Sequence, residues 1–281
     1  MKIRKSFQTK KPTLYLISTP IGNLKDLTIR ALETLKKVDI IYAEDTRVTT
    51  KLLELYEIKK PLYSYHSFNE EQAIKEIFKH LENGLSIGYC TDAGTPGISD
   101  PGYYLVAEIK DYFPVVSIPG ASSILTALVS SSLVPQPFTF VGFVGRKQTQ
   151  RKKMLSVYKD YPHTLIFFES ANRLSGLLDS LFEVFGKRKS VVARELTKLF
   201  ETFYEFYLGD DYSKIELKGE FVVLVEGYQK DQISRDDILK LVDELLTQGM
   251  SKKDAIKKVS EKLEVAKNLV YQEVIKREKE S

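Results

Sequence analysis

The sequence predicts an α/β protein built from two α/β domains and a small helical appendage. Three observations predict it. Short β-rich runs alternate with segments of helical periodicity through the first half, the pattern of a largely parallel sheet. Pro135-Gln136-Pro137 interrupts that alternation, which then resumes. From Ser234 onward the pattern is helical alone. The chain has 281 residues, 43% hydrophobic and 28% charged, enough material for two cores.

Leu14–Ile17 reads as a buried strand, followed by Ser18-Thr-Pro-Ile-Gly-Asn23. Leu27, Ala31, Leu32 and Leu35 then fall at helical spacing, with Asp26 or Thr28 as N-cap. Ile40–Ala43 is a second strand running into Glu44-Asp-Thr-Arg47, with a helix from about 49 to 56. Ala73, Ile74, Ile77, Phe78 and Leu81 share one face of a helix over 71–81, which Asn83-Gly84 stops. A strand over 85–90, a glycine- and proline-rich loop, a short helix and a strand over 114–118 follow. Pro119-Gly-Ala-Ser-Ser123 opens a helix to about 131. Two prolines in three residues favour an extended link, so domains of 12–135 and 137–228 meet there. The second domain reads as strand 138–143, a basic helix to about 159, strand 164–168 and helix 174–185. Strands over 190–196, 202–208 and 220–226 complete it, with antiparallel pairing expected among them. In the appendage, 232–281, Gly249 parts two helices with apolar stripes Ile238/Leu241/Leu245 and Ala255/Val259/Leu263.

Composition narrows the function. No run approaches the ~20 apolar residues that span a bilayer, and the basic start MKIRKSFQTKK has no apolar segment behind it, unlike a secretory signal. Cys90 is the single cysteine, so no internal disulfide forms and a reducing, cytoplasmic setting is expected. With three histidines besides, no metal site is expected. The net charge is +4, distributed as +5 over the tail 1–11, +1 over 232–281 and −2 between. Arg146, Lys147, Arg151, Lys152 and Lys153 form a further basic cluster. Such patches on a nearly neutral body suit a polyanion docking at defined places, although solvated helix faces carry similar runs.

The most informative stretch is Thr91-Asp-Ala-Gly-Thr-Pro-Gly-Ile-Ser-Asp-Pro-Gly102, which follows a strand and precedes a helix. In open α/β sheets ligands bind at the carboxyl ends of strands. Glycines and prolines together shape a rigid loop whose backbone approaches a ligand closely. A tight crossover is the plain alternative, but this length of shaping exceeds what a short connection requires. The loop is not a GxGxxG dinucleotide fingerprint, and the chain holds no GxxxxGKS/T phosphate loop. A nucleoside without a phosphate tail fits better. The loops 18–23, 43–47 and 119–123 end on the same sheet edge. There Ser122 and Ser123, with the helix N-terminal amides, suit a carboxylate or a ribose hydroxyl, or simply cap the helix.

Nine motifs stand in order: TPIGNLKDLTIRAL, YAEDTRVTTKLL, YHSFNEEQ, TDAGTPGISDPG, PGASSILTALVSSSL, GFVGRK, FFESANR, ARELTKLFE and KGEFVVLVEG. Together they resemble the tetrapyrrole-methylase (class III methyltransferase) family, in its ribosomal-RNA-modifying branch, over about residues 12–227. The resemblance implies two α/β domains with S-adenosylmethionine in the cleft between them, commonly as a homodimer. It implies methyl transfer to the 2′-hydroxyl of a cytidine in the decoding region of 16S ribosomal RNA, with the small ribosomal subunit as partner. The family's cofactor loops fall on Pro20 and Ile21, on Gly94, Thr95 and Ile98, and on Ser122, Ser123 and Ile124. Phe168 and Ala193, with their neighbours Glu169 and Arg194, stand at flanking positions in the second domain. Thr95 replaces the acid common in tetrapyrrole enzymes, so no carboxylate contact is expected there.

Arg47, Arg146, Lys147, Arg151, Arg173, Arg194 and Lys198 are candidates for phosphate contacts, which set register without reading sequence. A ribose hydroxyl is a poor nucleophile unless its proton is removed during transfer, which asks for a base. Glu70, His66, Asp45, Glu44 and Glu195 are the candidates, and the sequence does not rank them. His66 reads equally as a surface loop residue, and Glu70 as favourable charge in a first helical turn. Two other functions compete: a small-molecule, tetrapyrrole-type methyltransferase, and a non-catalytic ribosome-binding module. The basic clusters argue against the first and the glycine–proline loop against the second.

Overall fold

The computed structural model describes residues 1, 3–5, 11–229, 235–263 and 265–280. Lys2 and Lys10 of the basic tail, and Ser234 at the expected start of the appendage, lie outside them. The chain forms two compact units, Met1–Tyr228 and Gln229–Ser281. Among the described residues no helix is long and apolar enough to cross a membrane.

The first half of the larger unit runs β1 (Leu14–Ile17), α1 (Ile29–Lys37), β2 (Ile40–Ala43), α2 (Thr46–Leu55), β3 (Leu62–Ser64), α3 (Glu70–Glu82), β4 (Ile87–Cys90), α4 (Tyr103–Ile109), β5 (Val115–Ile118) and α5 (Ser123–Ser130). Its five strands lie in the order β3-β2-β4-β1-β5, every pair parallel. β2 and β4 are buried along their whole length, as strands covered on both faces must be. One face packs Ile77, Leu81 and Leu105 against Tyr42 and Tyr89, the other Leu35 and Leu53 against Ile17 and Ile41. All the strands point the same way, so their carboxyl ends make one edge.

The second half runs β6 (Phe138–Phe143), α6 (Gln148–Ser156), β7 (Thr164–Ser170), α7 (Leu174–Phe185), β8 (Lys189–Arg194), β9 (Thr202–Tyr207) and β10 (Glu220–Val225). The sheet order is β6-β7-β10-β8-β9. β6 and β7 are parallel, whereas β10 runs antiparallel between β7 and β8, and β9 antiparallel on β8. Antiparallel pairing was expected; the insertion of the last strand into the middle was not. It brings the start of β10 beside the end of β7, pairing Phe221 with Glu169.

Capping explains the shifted boundaries. α2 begins at Thr46 rather than near 49, because Asp45 Oδ1 accepts from the Arg47 N–H at 2.8 Å. Thr28, not Asp26, caps α1, accepting from Ala31 N at 3.1 Å. α6 stops at Ser156, short of the expected 159.

Among its described residues the smaller unit has three helices, α8 (Arg235–Thr247), α9 (Lys252–Lys262) and α10 (Lys267–Glu280), correcting the two read from the sequence. Its core joins Ile238, Val242, Ala255, Val259, Val270 and Val274. Arg277 of α10 donates two bonds, 2.7 and 2.8 Å, to Asp243 of α8. The third helix supplies the apolar surface that a two-helix hairpin would leave wet.

Candidate active site

The loops after β1 and β4 are sewn together. Thr19 and Gly94 exchange backbone bonds of 2.9 and 3.2 Å, and Ser18 Oγ and Thr95 Oγ1 share one of 3.0 Å. Gly94, Gly97 and Gly102 have φ of +78°, +86° and +140°, values at which any side chain is strained. The Tyr89 hydroxyl, from inside the sheet, donates to Pro101 O at 3.0 Å and pins the far end of the loop. The loop after β5 comes equally close: a Cβ on Gly120 would stand 2.8 Å from Ser18 Cβ. Ser122 caps α5, accepting from Leu125 N, which leaves the first amides of α5 facing the same space.

The second sheet closes this space from the other side. Phe140 and Phe168 meet edge to face with centroids 4.9 Å apart, and Phe143 joins Phe168 at 5.7 Å. Between the two walls lies a cavity of about 600 Å³, in the size range of small-molecule sites. Its lining includes Ile21, Gly94, Thr95, Ile98, Ser122, Ser123, Ile124 and Phe168 of the residues expected from sequence. Pro20 and Ala193 are not part of it. Pro20 is buried within the loop after β1, and Ala193 sits in the core with no exposed surface. Sequence reasoning missed Asp100, Phe140, Phe143, Leu196 and Glu220 as lining residues. Asp100 lies inside the glycine–proline loop itself. The β10 residues become visible only with the strand order.

Glu169, 3% exposed, also lines the cavity. Its Oε1 takes Arg173 Nη2 at 2.5 Å and the Ser170 N–H at 2.8 Å, while Oε2 is buried without a hydrogen-bond partner. An acceptor so placed costs about 1–3 kcal/mol unless something donates to it.

The proton-acceptor candidates lie off the cavity. Glu70 Oε1 accepts from the Tyr65 hydroxyl at 2.9 Å. His66 Nδ1 accepts from Phe68 N at 3.3 Å. Asp45 holds Arg47 and caps α2, and the Arg47 side chain and amide hold its carboxyl down at about 2. A carboxylate so stabilised is a weak base. The basic candidates divide. Arg146 and Lys147 are exposed, and so is Arg47, paired with Asp45. Arg173 is tied to Glu169, and Lys198 to Glu195 and Glu220 at 3.0 Å each.

Arg151 and Arg194 are removed from the phosphate-contact set because both guanidinium groups are buried in the protein's own hydrogen bonds. Arg151, 6% exposed, donates to Gly145 O at 3.2 Å and Arg146 O at 3.0 Å. Arg194, 5% exposed, donates to Lys218 O at 2.7 Å and pairs with Glu216 at 2.9 Å.

Comparison with known proteins gives the family. Residues 13–211 match the family model described as Tetrapyrrole (Corrin/Porphyrin) Methylases. A Bacillus subtilis protein named ribosomal RNA small subunit methyltransferase I is 41% identical over 92% of this chain and 92% of its own. A Streptococcus pyogenes protein of the same name is 41% identical over 97% and 99%, and a Synechocystis one 38% over 92% and 96%. Among solved structures, uroporphyrin-III-C-methyltransferase from Thermus thermophilus superposes with a TM-score of 0.55 at 18% identity, over 77% of this chain and 94% of that one. A diphthine synthase superposes at 0.57 and 16%, over 76% and 90%. At those identities the likeness is one of fold.

The cavity fits S-adenosylmethionine on its own features. The unpartnered buried oxygen of Glu169 asks for a donor such as an amine or hydroxyl, the α5 amides suit a carboxylate, and the isoleucines and phenylalanines suit a flat base. When bound, S-adenosylmethionine supplies an activated methyl group on a sulfonium. Taken with the family match and the relatives' coverage, the chain is a member of the tetrapyrrole methylase family, S-adenosylmethionine-dependent methyltransferases with an α/β fold of two sheets.

Proposed function

We propose that this protein methylates the ribose 2′-hydroxyl of a cytidine in the decoding region of 16S ribosomal RNA, acting on the small ribosomal subunit as a homodimer. The observation that carries this reading is the 41% identity to ribosomal RNA small subunit methyltransferase I along almost the whole chain, smaller unit included. In this reading Gly94, Thr95, Ile98, Ser122–Ile124 and Phe168 hold the cofactor against the two walls. Arg47, Arg146 and Lys147 meet RNA phosphates, joined by Arg173 and Lys198, which pair with the cavity-lining Glu169 and Glu220. The protein mainly positions: bringing a ribose oxygen in line with the reactive methyl supplies much of the acceleration. The exposed Phe143 and Phe200, 51% and 66% accessible, offer stacking surfaces to an unpaired base.

The test is methyl transfer from labelled S-adenosylmethionine to isolated small subunits, to naked 16S RNA and to a tetrapyrrole precursor, with nucleosides resolved by mass spectrometry. Label in a ribose-methylated cytidine is expected, strongest with subunits. Label on a base or on the tetrapyrrole overturns the substrate reading, and cofactor binding without any transfer favours a binding module.

A further inference from the structure

Three carboxyl groups line the cavity: Asp100, Glu169 and Glu220. Two of them hold cations, since Glu169 pairs with Arg173 and Glu220 with Lys198. Among the described residues, no hydrogen bond or ion pair reaches the Asp100 carboxyl. Its surroundings are acidic instead. Glu44 at the end of β2 and Asp92 after β4 both face it. Each has its own role in the loop: Asp92 Oδ1 accepts from Asp45 N at 3.0 Å, and Glu44 Oε2 from Asp92 N at 3.4 Å. Arg47, whose charge acts on Asp92, is held by Asp45. Two further groups complete the setting. Tyr89 lies beneath the loop, and His66 acts on Glu44 from the turn before α3.

A paired carboxylate has little reason to take a proton. An unpaired one, half-buried and crowded by like charge, gains by taking one. We infer that Asp100 is the base of the methyl transfer, accepting the ribose hydroxyl proton at the wall of the cofactor cavity. This rests on the ribose-methylation reading above and names the residue that it lacks. In the step, the hydroxyl oxygen bonds to the methyl carbon and the carbon–sulfur bond breaks with its electrons on sulfur. The hydroxyl proton passes to Asp100, which returns it to solvent. Burial first, and then the charges of Glu44 and Asp92, push this carboxyl up to about 7. That matches a base working near neutral pH. Glu70, His66 and Asp45 stand away from the cavity and are spared that task.

Single-turnover methylation of small subunits by wild type, Asp100→Asn and Glu44→Gln, each across pH, tests the assignment. Asp100→Asn is expected to bind S-adenosylmethionine as wild type does in calorimetry, while its methylation rate falls about a hundredfold to ten-thousandfold. The wild-type rate should rise with pH through about 7 and level off. Glu44→Gln, which removes one like charge, should move that rise to lower pH. The free protein gives a second readout. A carboxyl raised in the folded state favours folding below its ordinary range, and that advantage is lost as pH rises to the folded value. The melting temperature of Asp100→Asn minus that of wild type should therefore grow between about pH 4 and about pH 7 and then stay level. Asp100→Asn methylating within about threefold of wild type, or losing cofactor binding, overturns the assignment alone. So does a melting difference that is flat with pH. Wild type placing no methyl on ribose overturns the ribose reading and the assignment together.

Discussion

Gly94 shows how one residue ties sequence to site. Its φ of +78° suits glycine, its backbone bonds to Thr19 join two loops, and it faces the cavity. Gly94→Val combines about 1–3 kcal/mol of backbone strain with a branched side chain where a ligand approaches. S-adenosylmethionine affinity is expected to fall at least about tenfold while the far-ultraviolet circular dichroism is kept; undiminished affinity contradicts the placement of the cofactor. Arg151 teaches the opposite lesson. A run of basic residues reads as a solvated face, yet Arg151 stands one turn before the buried Leu155 and faces α7, beside Ser180. That i, i+4 relation to an apolar residue was the available signal, and the charge obscured it. Arg151→Ala strips partners from two carbonyls and is expected to destabilise by about 2–3 kcal/mol. Urea unfolding measures it, and a loss below ~0.5 kcal/mol contradicts the structural role.

At the scale of elements, strong periodicity was legible and pairing was not. Leu174–Phe185 was predicted to the residue, because Leu174, Leu177, Leu178, Leu181 and Phe185 keep one buried face. β3 escaped, being a three-residue edge strand behind Pro61 with Tyr63 and Ser64 exposed. α10 escaped because its buried apolar positions amount to Val270 and Val274. The cavity's first wall was legible, since parallel strands force their carboxyl ends together and the glycine–proline loop marks the place. Its second wall was not, because it depends on β10 slotting between β7 and β8, which no local pattern encodes. The turn before α6 is the element to test for RNA. Arg146 and Lys147 are exposed, whereas Lys152 is taken by Glu183. Replacing Arg146 and Lys147 by alanine should reduce the slope of log affinity against log salt by about 1.5–2, the yield of two phosphate contacts. Filter binding of 16S RNA at several ionic strengths reads the slope, and an unchanged value makes the pair a solvated turn.

For the whole molecule, the division at Tyr228 separates two bodies with their own cores. The smaller carries exposed Lys253, Lys257, Lys258 and Lys262 along α9, a basic face suited to adding a second, tethered RNA contact. Truncation after Tyr228 should leave cofactor affinity and melting temperature nearly unchanged while methylation of small subunits drops through weaker binding. A truncated protein that aggregates or melts much earlier would make the smaller unit a structural cap. The central claim is that both sheets of the larger unit hold one cofactor between them. Hydrogen exchange with and without S-adenosylhomocysteine, the demethylated cofactor, tests it most directly. Protection is expected together at residues 94–98, 122–124, 168–170 and 219–222, which line the cavity from both sides. Protection confined to one sheet, or lying away from these segments, would contradict it.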